Sequence, residues 1–511
     1  MKKFDNIRLP HNHTEEEFQK KLRALGIPEG APWTLLKKSL DARHKSKIQW
    51  VYSIGVGVSE EKAPWETRKI PPPRFRPVIV GAGPAGIFVA YWLLQHGIQA
   101  ILLEQGAPMK ERVQKMALFM KKGVLDEKTN ICFGAGGAGA YSDGKLLTRI
   151  KSDWIPFVME VFIRFGGNPS IRYEANPHLG SNKIREVIEK ILDWLKQAEV
   201  DIQYHTECVD LVLKNRKITG LVTSRGILET DTVFLATGHS KRAVYDILHK
   251  HEIAMQFKPF ALGVRMEHPS ALINQIQHGS FASDSKLGFA TYKLVHTWEQ
   301  LDRRSVYSFC MCPGGYILNS STENGAVVCN GMSNSAKNGP FSNAGVVVNI
   351  DDKDVSGDPV FKGAEFQKQL ERAFARAANP DGSSYRLPAM RLLDYLDRKP
   401  SKDLPPGSCP NPLIPAKLFE IFPPFVNKAL SDGLKIFNQK MRGLFHPDAI
   451  LVAIESRTSS PVRILRDQDT FESVNTKGLY PLAEGAGYAG GITSAAVDGI
   501  NAVESYLQKC L

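Results

Sequence analysis

An α/β fold interrupted by a second domain is what this 511-residue sequence predicts. Three observations predict it. RPVIVGAGPAGIFVAYWLLQHGIQAILLEQ, residues 76–105, runs from an apolar strand through a glycine turn into an apolar helix and a second apolar strand, the pattern of a parallel βαβ unit. A helical stretch at 181–200 (SNKIREVIEKILDWLKQAEV) and another apolar strand at 232–238 (TVFLATG) continue the alternation. Between about residues 255 and 450 the texture changes to short strands (ALGVRM, VYSFCM, GAVVCNGM), turn clusters and helices such as EFQKQLERAFARAA. A mixed α+β domain is therefore predicted there, inserted in the first.

In chain order, residues 1–70 read as a small α+β module. Thr14 and Glu17 form a capping box, because each can hydrogen-bond the other's backbone amide. Phe18, Leu22 and Leu25 share one face of the helix that follows, and Gly26 and Pro28 stop it. In KIQWVYSI, Ile48, Trp50, Tyr52 and Ile54 alternate as in a half-buried strand. APWETRKIPPPRFRP, 63–77, is a proline-rich linker. Residues 71–254 then form the first part of the α/β domain, 255–450 the inserted domain, and 451–511 (VRILR, GLYPLAEG and a terminal helix) the return to the first. A chain this long exceeds one typical core, which fits two or three domains.

Composition narrows the class. With 43% hydrophobic and 23% charged residues the chain reads as a soluble globular protein. The apolar stretch Val78 to Leu94 is broken by Gly81, Gly83, Pro84 and Gly86, so a strand, turn and helix fit better than a membrane span. No apolar run follows Lys2 and Lys3, so no signal peptide is expected. Seven cysteines are an odd number without zinc-site spacing, which points to reduced thiols and a cytoplasmic setting. Of the net charge of +12, residues 1–76 carry +7, from 16 Lys+Arg against 9 Asp+Glu. That excess is either a solvated face or a surface for an acidic partner such as RNA or a membrane.

G-x-G-x-x-G occurs three times: GAGPAG (81–86), GAGGAG (134–139) and GAGYAG (485–490). Only the first has a strand before it, a helix after it and an acid, Glu104, closing the next strand. Gly81 permits the tight turn, Gly83 lets a pyrophosphate approach the backbone, and Gly86 lets the helix pack closely, with Ala85 in the same turn. The helix N-terminus offers free amides to phosphate, and Glu104 is spaced to meet a ribose hydroxyl. The other two matches lack such an acid, so their role must differ. Glu484 can accept from a sugar or ribityl hydroxyl, and Gly490, Gly491 and Ile492 open a helix suited to a developing negative charge. Thr237-Gly238 ends an apolar strand where a nucleotide can lie. One Rossmann unit with two distal glycine turns suits FAD rather than NAD, because the longer dinucleotide needs its far half gripped by later segments.

The chain resembles the uncharacterised FAD-dependent "NAD(FAD)-utilising dehydrogenases", two-dinucleotide-binding-domain flavoproteins related to geranylgeranyl-reductase-like and BaiN-type reductases. The resemblance rests on SLDARHKSKIQWVYS (39–53), NICFGAGGAGAYSDGKL (130–146), NPHLGSNKI (176–184), KPFALGVRMEHP (258–269), FCMCPGGY (309–316), NGMSNSA (330–336) and ESRTSSPVRI (455–464). Ala135 stands where the family usually has Glu, and Ala483 where it usually has Gly. The resemblance implies a Rossmann-like FAD-binding domain and a flavin-dependent dehydrogenase or reductase. It also implies that Gly81, Gly83, Gly86 and Glu104 hold the ADP half and that Val209 meets adenine through its backbone. Arg112, Gly136, Gly137, Asp143, Gly144 and Lys145 would follow the pyrophosphate and ribityl chain, with Glu484, Gly490, Gly491 and Ile492 at the flavin end.

Candidates for chemistry beyond the cofactor come from the inserted domain. Cys312 in CMCPGG is either a thiol relay beside the flavin or a packed partner of Cys310 on one strand face. Arg265 and Lys293 are candidates for binding a carboxylate or supplying a proton. Arg457 and Arg463 flank an uncharged run and are placed to offset a reduced flavin's charge. The reading that follows is an FAD-dependent oxidoreductase moving hydride through flavin N5 to or from a small-molecule substrate, with NADH or NADPH as a transient donor. Two alternatives compete: an RNA-modifying flavoprotein using the basic N-terminal segment, and a flavin-holding structural protein.

Overall fold

The computed structural model describes residues 1–57, 65–300, 303–382 and 385–510; residues 63 and 64 of the expected linker lie outside them. A five-stranded parallel sheet forms the frame. Its order is Leu479–Pro481, Val233–Leu235, Val78–Val80, Ile101–Leu103 and Asp201–Gln203. Val78, Val80, Leu103, Val233 and Leu235 are buried on one side of this sheet and Ile79, Leu102 and Phe234 on the other. Both faces are thus covered, as a parallel sheet with crossover connections requires. The strand Leu479–Pro481 comes from the far end of the sequence, so the sheet itself brings early and late segments together.

Helix Pro84–Gln95 leaves the first strand through Gly83 and is buried almost throughout. It packs along the C-terminal helix Ile492–Cys510, where a Cβ on Gly499 would lie 2.7 Å from the Ala85 carbonyl oxygen. That close approach holds both helices over the same face of the sheet, the one carrying Ile79, Leu102 and Phe234.

The second sheet has seven strands in the order Val295–Trp298, Arg304–Cys312, Phe341–Ile350, Phe260–Pro269, Ile450–Glu455, Leu387–Arg391 and Leu413–Pro415. All its pairings are antiparallel except the last. The expected boundary at residue 450 falls on the first residue of the strand Ile450–Glu455, whose ladder runs on to Glu455 at the centre of the sheet. Helices Lys362–Ala378 and Pro424–Lys440 cover this sheet and share its apolar core.

Residues 2–56 form a separate antiparallel sheet in the order Lys2–Pro10, Gln49–Val56, Trp33–Asp41, with helix Glu15–Ala24 closed over Phe18, Leu22, Tyr52 and Ile54. The Thr14–Glu17 capping box is formed, with Thr14 N donating to Glu17 at 2.8 Å and Glu17 N to Thr14 at 3.2 Å. Among the described residues no helix is long and apolar enough to cross a membrane.

Candidate functional site

A cavity of about 320 Å³ lies where the parallel sheet, the 132–145 segment, the C-terminal helix and the seven-stranded sheet meet. All three glycine turns, or the segments joined to them, reach it. Gly81 sits at φ +107°, and a Cβ there would lie 2.5 Å from the Ala236 carbonyl oxygen. A Cβ on Gly86 would lie 2.0 Å from the Gly81 carbonyl oxygen, so Gly86 shapes the turn from behind and is absent from the cavity wall. Gly83 and Gly137 face one another: a Cβ on Gly137 would stand 3.0 Å from the Gly83 Cα. Both line the cavity.

This arrangement fits a dinucleotide. Gly83 caps helix Pro84–Gln95 without a side-chain hydrogen bond, so the first-turn amides are left for an anion, and two facing glycines keep the approach open. Glu104 accepts from the amides of Ala82 (3.0 Å), Gly106 (2.9 Å) and Gly134 (3.0 Å) while lining the cavity. A carboxylate has about four acceptor positions, so one remains for a hydroxyl. Glu104 therefore ties the first glycine turn to the second as well as facing the cavity.

Arg112 requires a correction. It was expected along the pyrophosphate and ribityl chain, but it is fully buried behind the 130–137 loop. Its guanidinium donates to the carbonyls of Asn130 (3.0 Å), Ile131 (2.8 Å), Ala135 (2.6 Å) and Gly137 (2.9 Å). Burial pushes it down to about 10, still far above neutrality. Five donors in a fixed fork spend themselves on a turn whose carbonyls all point inward, so Arg112 is a positioning residue. Gly136 and Gly144 also lie behind the wall. Gly136 N donates to Ala82 O at 2.8 Å, and a Cβ on Gly144 would lie 2.6 Å from Gly180 N. Val209 points away, 42% exposed, and its neighbours Thr206, Glu207 and Cys208 line the cavity instead.

The far wall carries charge. Asp143 and Lys145 both line it, 2.6 Å apart, and Asp143 is also met by His178 at 3.2 Å and by the Ser333 hydroxyl. Burial alone would raise Asp143, but Lys145 and His178 outweigh it and hold the carboxyl well below its usual range. Thr237, Gly238, Glu484, Gly491 and Ile492 close the cavity from the C-terminal side, whereas Gly490 is exposed just outside it. Ala483 adopts φ +54°, a left-handed conformation that favours glycine, the residue the resemblance leads one to expect there. Ala135 is fully buried, with its carbonyl turned to Arg112.

The catalytic candidates need further correction. Lys293 is exposed and does not line the cavity. Arg265 is wholly buried, bonded to Glu455 (2.7 Å) and Asn343 (2.7 Å), and reaches the wall only through partners such as Glu455. Cys312 is fully buried; of this pair it is Cys310 that lines the cavity. Strand alternation put the two cysteines on one face, but a bulge between Phe309 and Cys312 breaks the register, and Cys310 takes φ +44°. Arg457 does reach the wall, but its charge is spent on Glu371, at 2.9 and 3.1 Å. Arg463 instead donates to Gly487 O at 3.4 Å, outside the wall.

Sequence reasoning passed over His239. It directly follows Thr237-Gly238, its Nδ1 lies 3.6 Å from Glu484, and its Nε2 has no partner. Burial, then Arg457 and Arg242, push the imidazole down to about 3, so it is neutral at physiological pH. Burial likewise pushes the Glu484 carboxyl up to about 7, although a third of its side chain opens to the cavity. The sequence signal was a titratable residue immediately after a strand-end Thr-Gly. In the basic N-terminal segment, Arg8 and Arg43 both pair with Asp41, and Lys3 with Asp5, so part of the excess charge is met within the chain.

Residues 259–458 match a family model described as FAD-dependent protein, C-terminal domain-like, and residues 1–57 match a domain of unknown function. An uncharacterized protein of Clostridium beijerinckii is 36% identical over 501 residues, covering 93% of this chain and 92% of its own. Among solved structures, CtdE in complex with FAD is 11% identical, with a TM-score of 0.32 over 85% of this chain and 84% of that one. Glycine oxidase from Bacillus cereus is 12% identical, with a TM-score of 0.31 over 86% and 96%. Both structural likenesses are distant.

Proposed function

The chain belongs to the same family as the Clostridium beijerinckii protein, a family of FAD-dependent proteins, and from that premise we propose that it is an oxidoreductase passing hydride between FAD and a small-molecule substrate. The cofactor is FAD. One observation carries the proposal: the first glycine turn and the residues flanking the last, about four hundred residues apart, line one cavity, roofed by a sheet that brings Cys310 and Glu455 to it. In this reading residues 71–254 and 451–511 bind the cofactor, and the inserted sheet, through Glu455, covers the reacting face.

Gly81, Gly83, Ala85 and the amides of helix Pro84–Gln95 would hold the pyrophosphate, and Glu104 a ribose hydroxyl. Glu484 and Thr237-Gly238 would meet hydroxyls of the far half. Gly491 and Ile492 open the C-terminal helix, whose free amides would face the flavin's electron-rich edge. FAD supplies the hydride chemistry when bound; the protein's share is to orient it and exclude water. Kinship with geranylgeranyl-reductase-like and BaiN-type reductases belongs to this same proposal, as does transient reduction by NADH or NADPH.

The test is anaerobic mixing of the purified flavoprotein with each nicotinamide, following flavin absorbance. Bleaching by NADH or NADPH within the turnover time is expected. A chain that retains no FAD sinks the cofactor assignment. One that retains FAD but is reduced only by light sinks the hydride-transfer reading.

A further inference from the structure

The bulge in the strand Arg304–Cys312 does more than break a register. Phe309 pairs with Gly345 and Cys312 with Asn343, so this strand spends three residues where its partner spends two. Cys310 takes up the irregularity at φ +44°, a conformation that side chains other than glycine, Asn and Asp rarely adopt. The turn aims the Cys310 thiol into the cavity and leaves Cys312 fully buried behind it. The Cys312 thiol turns back on its neighbour and donates to the Cys310 carbonyl at 3.2 Å. In a regular strand, side chains two apart point the same way and stand nearly 7 Å apart at Cα; here the bulge and the left-handed Cys310 replace that regular geometry.

Cations converge on the pair. The Lys145 ammonium donates to the Met311 carbonyl, between the two cysteines, while held by Asp143 at 2.6 Å. Arg265 Nη1 lies 3.3 Å from the Cys310 carbonyl oxygen and 3.7 Å from Cys312 Sγ. Gly315 follows closely; a Cβ there would lie 3.0 Å from the Cys312 Cβ. Two cysteines that merely filled space would not call for a left-handed residue, for a buried Arg265 at the Cys312 sulfur, or for Lys145 on the carbonyl between them.

We propose that Cys310 and Cys312 form a dithiol–disulfide pair that exchanges two electrons with the bound flavin, Cys310 facing the cofactor and Cys312 closing the disulfide. The proposal rests on the reading that this cavity holds FAD. The step balances. Cys310 enters as thiolate and Cys312 as thiol; an S–S bond forms, the S–H bond of Cys312 breaks, and two electrons with that one proton pass to oxidised FAD. The reverse step returns thiolate and thiol. Bonding from Cys312, set against burial, together with Lys145 and Arg265 keeps the Cys310 thiol below its usual range, whereas burial raises Cys312 far above it. The cavity-facing sulfur is thus the reactive one and the buried sulfur its partner.

Three measurements test it. Iodoacetamide at pH 6.5 followed by peptide mapping is expected to modify Cys310 at least about tenfold faster than Cys208 or Cys409, whose thiols burial raises to about 12. Mild oxidation with diamide is expected to join Cys310 to Cys312, reversibly with dithiothreitol. Anaerobic dithionite titration of the oxidised flavoprotein is then expected to take four electrons per FAD, and only two in Cys312→Ser carrying the same FAD content. Two electrons in both proteins, or Cys310 alkylating no faster than Cys208, overturns the proposal. A preparation without FAD refutes the cofactor reading instead, and the alkylation and diamide results still decide the thiol pair.

Discussion

Glu371 is fully buried and receives Arg242 (2.8 Å) and Arg457 (2.9 Å) at once. Burial alone would raise its carboxyl, but the two guanidiniums outweigh that and hold it at about 2. A folded value below the unfolded one stabilises above the unfolded value, near 4.5, and that stability is lost as pH falls from there toward 2. Glu371→Gln, which strands two buried cations, is expected to cost about 3–5 kcal/mol at neutral pH. The difference in Tm between wild type and variant should shrink between pH 5 and 3; a constant difference contradicts the ion-pair account. The glycines divide in a second way. Gly86→Ala must push a methyl into the Gly81 carbonyl and is expected to lower stability by about 1–3 kcal/mol. Gly83→Ala meets only the Gly137 Cα at 3.9 Å, so it should keep wild-type Tm without ligand and lose FAD affinity. Thermal melts with and without FAD separate the two. At this scale much was legible: Glu104 and the first glycines were read from spacing alone. Arg112 and Cys310 were not. One serves carbonyls brought in by a later loop, and the other is aimed by a bulge that no local residue pattern announces.

Segments, rather than single side chains, set the shape of the cavity. The loop 130–137 buries Ile131, Phe133 and Ala135 but has no regular backbone ladder, and Arg112 supplies its internal scaffold through carbonyl contacts from Asn130 to Gly137. Lysine carries the charge but cannot present a planar fork, so Arg112→Lys is expected to lose FAD affinity by about tenfold or more while the remainder of the fold melts cooperatively. Retention of full affinity, measured by FAD fluorescence quenching, contradicts a scaffolding role. The elements themselves were largely legible. The helix read at 181–200 forms over Ser181–Gln197, and the strand read at 232–238 contracts to Val233–Leu235. Strong apolar periodicity made them visible. The position of Ile450–Glu455 was not, since an apolar strand reads alike in either sheet; its antiparallel ladder with Phe260–Pro269 decides where it belongs.

At the scale of the molecule, the N-terminal module is docked rather than tethered. Lys38 N donates to Tyr173 O at 2.7 Å, Ala175 N to Lys38 O at 2.8 Å, and His11 meets Asp284 at 2.9 Å, so the module touches both larger parts. Nothing in its sequence named those contacts, because two of the three use only backbone atoms. FAD binding across the cavity should stabilise all parts that line it. At a hundredfold excess over Kd the gain is about 2.7 kcal/mol, expected as a raised Tm in wild type and no shift in Gly83→Val. The central claim is that early and late glycine turns grip one molecule, and amide hydrogen exchange with and without FAD tests it most directly. The account predicts that FAD slows exchange in residues 82–87 and also in 488–494. Protection confined to one of these segments, or absent from both, would contradict it.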